Sequence, residues 1–113
     1  MVLDDYGFVL DLPWRTGRHR LRVENRAAHP HELAVFRLNE GKRVADVVKW
    51  AGSLTGPPPG RLVGGTTALS RGSSVALTIT LAPGTYALLC FLPDAKDGRS
   101  HAQHGMTREI TVR

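Results

Sequence analysis

The chain is 113 residues long, with 42% hydrophobic and 22% charged side chains, which excludes intrinsic disorder and collagen-like repetition. Length favours one domain over residues 1–113, and the apolar run Ala87 to Leu92 is only six residues, far below the roughly 20 that a membrane-spanning helix needs. Lys+Arg (15) exceed Asp+Glu (10) for a net charge of +5, and a single cysteine, Cys90, leaves no intrachain disulfide.

The first apolar segment, Tyr6-Gly-Phe-Val-Leu-Asp-Leu, reads as a short strand stopped by Pro13. Before it, Met1-Val-Leu-Asp-Asp has neither a basic stretch nor a following apolar stretch of the signal-peptide kind, so the sequence leaves the compartment open. Gly17 opens a second strand, Arg18-His-Arg-Leu-Arg-Val-Glu-Asn, with His19, Leu21 and Val23 on one face. Its even positions, Arg18, Arg20, Arg22 and onward to Arg26, read as a solvated face. The other cations are scattered, and seven aromatics provide no stacking platform. Nucleic acid is therefore not the expected partner; the positive charge suits steering toward an acidic protein.

After the loop Asn25-Arg-Ala-Ala-His-Pro, a third strand is expected over His31 to Leu38. Val44, Val47, Val48 and Ala51 recur at helical spacing, which predicts one short helix over Lys42 to Ala51, ended by Gly52-Ser. Gly56-Pro-Pro-Pro-Gly60 reads as a stiff surface loop. In Ser74-Val-Ala-Leu-Thr-Ile-Thr-Leu, the residues Val75, Leu77, Ile79 and Leu81 share a face. A Pro-Gly turn follows, and then Thr85 to Leu92, apolar on both faces and so a central buried strand. A polar loop, Pro93 to Gly105, precedes the last strand, Arg108-Glu-Ile-Thr-Val. Six or seven strands with turn-punctuated spacing predict an all-β fold, a Greek-key β-sandwich with one short helix.

The chemistry gathers in two loops. His29 and His31 bracket Pro30 at a loop-to-strand junction, while His101 and His104 lie between Cys90 and Met106. Thiolate, imidazole and thioether donors thus border two neighbouring strands. Two His and one Cys with a weak axial Met form the ligand set of electron-transfer copper sites. Taken singly, each residue has a plainer reading. Cys90 is a buried small hydrophobe, Met106 fills core, His29 is a solvated loop residue and His19 is structural or at the surface. Asp94 and Asp97 read as turn residues. No phosphate-binding glycine loop occurs, paired-cysteine zinc sites are impossible with one cysteine, and a Cys/His nucleophile would be poorly exposed at the end of a buried strand.

In combination the residues resemble a family. Asn25…Pro30-His31, Pro83-Gly-Thr-Tyr86…Cys90…His101…Gly105-Met106 and Ile110-Thr-Val look like the cupredoxins, the plastocyanin and azurin superfamily, over nearly the whole chain. The His31-Glu-Leu, Val63-Gly-Gly and Cys90-Phe-Leu-Pro segments resemble a bacterial cupredoxin-like group with a long Cys–His loop. The resemblance implies His31, Cys90 and His101 as equatorial copper ligands and Met106 as the axial one. One departure stands out: ten residues separate Cys90 from His101, where plastocyanins and azurins have two to four. A longer closed loop costs only about 1 kcal/mol more by the logarithmic rule, so the departure bears on geometry more than on stability. It keeps His29 and His104 as reserve ligands or neighbours of the ligands. The implied function is single-electron transfer through one copper ion cycling between Cu(I) and Cu(II), without catalytic turnover. A redox protein partner, acidic in character, a monomeric state and an extracytoplasmic location go with it. The alternatives are a metal-free interaction module of the same fold, and a protein that delivers or stores Cu(I).

Overall fold

The structure, a computed structural model, describes residues 1–10 and 13–113. Two four-stranded sheets face each other. Strands β1 (Val2–Asp4), β2 (Gly7–Val9), β3 (Gly17–Asn25) and β6 (Ser74–Leu81) form one in the order β2-β1-β3-β6. Strands β4 (Ala34–Leu38), β5 (Gly60–Gly65), β7 (Gly84–Leu89) and β8 (Thr107–Val112) form the other in the order β5-β4-β7-β8. All pairings are antiparallel except β1 with β3. The expected all-β sandwich with one helix is what the chain adopts.

Period-two alternation places the core. In the first sheet Leu3, Phe8, Val23, Ile79 and Leu81 point inward, against Val35, Tyr86, Leu88 and Val112 of the second. Strand β7 is apolar on both faces because both are covered. Tyr86 and Leu88 enter the sandwich, whereas Ala87 and Leu89 pack under the helix with Val47. The alternation runs past the end of β7, so Cys90 also points into the sandwich, with no exposure at all. Tyr86 fixes the turn before its own strand: its hydroxyl donates to the Ala82 carbonyl (2.7 Å) and accepts from the Ala82 N–H (3.0 Å).

Helix α1 covers Val44–Ser53 and buries its valine face as predicted. At its start, Asp46 accepts from the Arg43 N–H (2.8 Å) and Glu109 from the Val44 N–H (3.0 Å), satisfying donors that a first turn leaves open. The expected stop at Gly52-Ser does not occur. Both residues remain helical, and the left-handed residue is Leu54 (φ 53°), whose N–H reaches the Trp50 carbonyl.

Among the described residues eight strands form rather than six or seven. The N-terminal segment is a hairpin, β1–β2, with a two-residue turn at Asp5–Tyr6; Asp11 and Leu12, the tail of the strand expected there, lie outside the described residues. Strand β5 has no sequence signature, since three of its six residues are glycine. Tertiary contact explains that composition: a Cβ on Gly65 would sit 2.6 Å from the Leu33 carbonyl oxygen. The strand expected from His31 begins only at Ala34. Thr66 Oγ1 takes the Leu33 N–H, and His31 makes an isolated bridge to Leu69. The outward side chains of β3, Arg18, Arg20 and Arg22, are exposed opposite Thr80, Thr78 and Ala76, as a solvated face should be. No helix among the described residues is long and apolar enough to cross a membrane.

Candidate metal centre

Four backbone anchors set the donors at one end of the sandwich. Asn25, wholly buried, ties down the loop that follows β3: its amide donates to the carbonyls of His29 (2.9 Å) and Leu69 (2.8 Å), and its oxygen accepts from the Ala27 N–H (3.0 Å). His31 then exchanges both backbone hydrogen bonds with Leu69. Cys90 leaves β7 with its carbonyl held by the Ala102 N–H (2.8 Å). The His101 N–H is held by the Leu92 carbonyl, and the Met106 N–H by that of His101.

The ten-residue separation between Cys90 and His101 is absorbed by a closed excursion. Pro93 and Ser100 form a bridge, and the Asp94 N–H donates to the Arg99 carbonyl (2.6 Å). The chain then enters a 3-10 turn, His101–His104, that no periodicity in the sequence marks. Ser100 caps this turn by accepting from the Gln103 N–H. Gly105, at φ 95°, takes the left-handed conformation that turns the chain toward Met106. Asp94 and Asp97 do turn work as expected, accepting from the N–H groups of Lys96 and Arg99.

The outcome is a compact triangle. Sγ of Cys90 lies 3.7 Å from Nδ1 of His31 and 3.5 Å from Nδ1 of His101, and the two nitrogens are 3.1 Å apart. All three residues are buried. A first-row metal with bonds of about 2.0 Å to nitrogen and about 2.3 Å to sulfur, at trigonal angles, separates two nitrogens by about 3.5 Å and nitrogen from sulfur by about 3.7 Å. The observed spacings come close to all three. The donors are therefore spaced as a metal would hold them, two imidazoles and one thiol with their ligating atoms turned inward. Met106 is wholly buried in the same cluster as Cys90, and its carbonyl faces the Cys90 N–H.

His29 and His104 are placed differently. Both are partly exposed and turned to carboxylates: His29 Nδ1 lies 3.1 Å from Asp5, and His104 Nε2 lies 2.9 Å from Asp97. Neither joins the triangle. His19 is remote from it, with Nε2 on the Arg15 carbonyl (2.6 Å).

Electrostatics follow from burial. Burial pushes the Cys90 thiol above its ordinary pKa, opposed by the backbone N–H groups of Glu32 and Leu92 that face the sulfur. Burial also lowers His101, helped by the neighbouring His31. Both groups therefore rest neutral. Around them stand residues that no sequence motif marks. Asp5 Oδ1 lies 3.2 Å from His31 Nε2, and its hydrogen bond to His29 is the main cause of its lowered pKa. Tyr6 lies edge-on to His101 (ring centroids 5.8 Å apart) and donates its hydroxyl to Asp94, which lowers Asp94 and raises Tyr6. Tyr6 reads as the start of a strand in the sequence; the folding of β1 alongside β3 makes Asp5–Tyr6 a turn and carries it over the histidines.

No protein-family model matches the chain, and no curated protein matches its sequence. Solved structures do. An auracyanin from the photosynthetic bacterium Roseiflexus castenholzii, in its dithionite-reduced form, is 28% identical with a TM-score of 0.63, over 96% of this chain and 84% of that one. Auracyanin A, a blue copper protein of Chloroflexus aurantiacus, superposes with a TM-score of 0.61 at 15% identity, covering 100% and 98% of the two chains. An azurin from Methylomonas sp. strain J gives 0.58 at 13% identity, over 99% and 92%. The last two likenesses are of fold.

Proposed function

We propose that this chain, a cupredoxin, holds one copper ion between His31, Cys90 and His101, with Met106 as a weak fourth donor, and carries single electrons. The observation behind this reading is the buried triangle of Sγ and two Nδ1 atoms. Bound copper supplies the one-electron Cu(I)/Cu(II) couple, which thiolate, thioether and imidazole donors together accommodate.

The protein's own residues do the rest. Cys90 gives up its proton on loading, since only the thiolate is a ligand, and the Glu32 N–H (3.4 Å) stabilises the resulting charge on sulfur. His31 and His101 each turn Nδ1 inward and present Nε2 to a carboxylate on the far side. Backbone hydrogen bonds anchor all three donors separately, so their spacing resists change when the charge at the site changes. Burial of His31 and His101 keeps water from the site. No nucleophile–base pair open to a substrate goes with this arrangement, and we read the chain as a carrier, one domain over residues 1–113. Its net charge of +5 suits an acidic redox protein as partner. A monomer in an extracytoplasmic compartment completes the reading.

The test is titration of the metal-free protein with Cu(II). One equivalent bound with an intense thiolate-to-copper charge-transfer band is the expected result. Neither band nor bound copper would mean a metal-free interaction module on the same fold. Tight Cu(I) binding without a stable Cu(II) form would mean copper delivery or storage.

A further inference from the structure

We infer that Asp5 and Asp94 are positioning residues of the donor cluster, one carboxylate behind each histidine, with Tyr6 joining them into a cap over the site. The inference deepens the copper reading and rests on it for the metal-dependent measurements. The first observation is the contact between Asp5 Oδ1 and His31 Nε2, 3.2 Å. An ionised carboxylate can only accept, so His31 carries its ring proton on Nε2. Its Nδ1 is then a bare lone pair facing Cys90 and His101, the tautomer a metal needs, set before any metal arrives.

The second observation is His101 Nε2, which is buried and has no hydrogen-bond partner among the described residues. Because His31 Nδ1 is an acceptor, the 3.1 Å contact between the two Nδ1 atoms is a hydrogen bond when His101 carries its proton on Nδ1. Nε2 of His101 is then unprotonated, which fits its lack of an acceptor. For Nδ1 of His101 to ligate a metal, the ring proton must move to Nε2, and Asp94 Oδ2 stands 3.9 Å from that atom. In the present arrangement the same Oδ2 accepts the Tyr6 hydroxyl. Tyr6 thus holds Asp94 in place beside a histidine whose free nitrogen has no other partner.

The third observation is the backbone that brings these groups together. Asp5 and Tyr6 are the two residues of the β1–β2 turn, closed by the pair Asp4 and Gly7. Tyr6 adopts φ 62°, a left-handed conformation that disfavours a residue with a Cβ. That conformation places its ring edge-on to both His101 and His104, at 5.8 and 5.9 Å. His29 shares the Asp5 carboxylate at 3.1 Å, holding it from the solvent side. The turn thus touches both buried imidazoles, Asp5 at His31 and Tyr6 at His101.

Asp5 is partly exposed, so its variants keep the fold, which amide spectra remote from the turn verify. In metal-free protein, nitrogen NMR of the imidazoles should find His31 as the Nε2–H tautomer. Asp5→Asn keeps an accepting oxygen and should keep that tautomer; Asp5→Ala should give a mixture. Loaded with Cu(II), Asp5→Ala should bind about 10–100-fold more weakly, the usual loss for a carboxylate behind a ligating histidine. Asp5→Asn should retain most of the affinity and show a raised reduction potential, because the lost negative charge favoured the more highly charged ion. Tyr6→Phe releases Asp94 toward His101 and should lower the potential. An unchanged His31 tautomer in Asp5→Ala, or one potential shared by wild type and all three variants, overturns the inference. Wild type that takes up no Cu(II), with the tautomer still lost in Asp5→Ala, supports the positioning role while sinking the copper reading.

Discussion

Replacing Met106 separates its place in the core from the weak-donor role proposed for it. The side chain is fully buried in the core cluster that also holds Leu33, Leu88 and Cys90, so truncation to alanine leaves a cavity. Large-to-small changes of this kind cost about 2–5 kcal/mol, whereas Met→Leu conserves volume and costs less than about 1.5 kcal/mol. Unfolding entropy of about 2.1 cal/mol/K per residue gives about 240 cal/mol/K for 113 residues, so 1 kcal/mol moves Tm by about 4 °C. Met106→Leu should therefore lower the Tm of the metal-free protein by less than about 6 °C, and Met106→Ala by about 8–20 °C. Loaded with Cu(II), Met106→Leu should keep the charge-transfer band, since thiolate and imidazoles remain. Its reduction potential should shift, because the weak donor that tunes the couple is gone. Thermal unfolding followed by circular dichroism and voltammetry of the loaded protein read the two effects apart. Loss of Cu(II) from a folded Met106→Leu variant would refute the weak-donor role, and an unmoved potential would leave Met106 as core alone.

Cys90→Ser should abolish the charge-transfer band while near-native circular dichroism persists, because the hydroxyl fits the space of the thiol but supplies no sulfur charge transfer. His101→Ala should destroy the copper spectrum and His104→Ala should spare it, since only His101 has Nδ1 in the triangle; the opposite result would shift the ligand by one loop position. Gly65→Ala should lower Tm without altering the ligands, because its Cβ meets the Leu33 carbonyl oxygen at 2.6 Å and β4 must give way; a neutral effect in thermal melts would contradict that approach. Acid should destabilise the metal-free protein in two stages. His101 has a folded pKa below its unfolded value of about 6.5, so its contribution is complete above that pH and is lost as pH falls. The lowered carboxylates Asp5, Asp94, Asp97 and Glu109 add a further loss as pH falls through the range below about 4. A Tm that climbs from pH 7 to pH 5 would reverse the sign of the first stage.

The sequence by itself determined the sandwich, the buried strand and the order of donors, because each is written in local pattern. Alternation along Arg18–Asn25 and Ser74–Leu81 fixes which face is inward. The doubly apolar Thr85–Leu89 needs cover on both sides, and the same alternation carried on to residue 90 points Cys90 inward. Donor identity is legible for a similar reason: a thiol, imidazoles and a thioether keep their chemistry wherever the chain puts them. Which imidazoles converge is another matter. His29 and His104 have the same chemistry as His31 and His101, and no spacing rule distinguishes them across a ten-residue loop. The choice is made by backbone hydrogen bonds between distant residues, Leu69 to His31 and Leu92 to His101, and by carboxylates that draw the other two histidines away. Strand β5 and the Asp5–Tyr6 turn were hidden likewise. Glycine-rich β5 exists because β4 offers a ladder to it, and the turn reaches Asp94, 88 residues away from Tyr6, only once the two sheets close. Periodicity is a property of neighbours along the chain. The site is made by neighbours in space, which only the tertiary structure brings together.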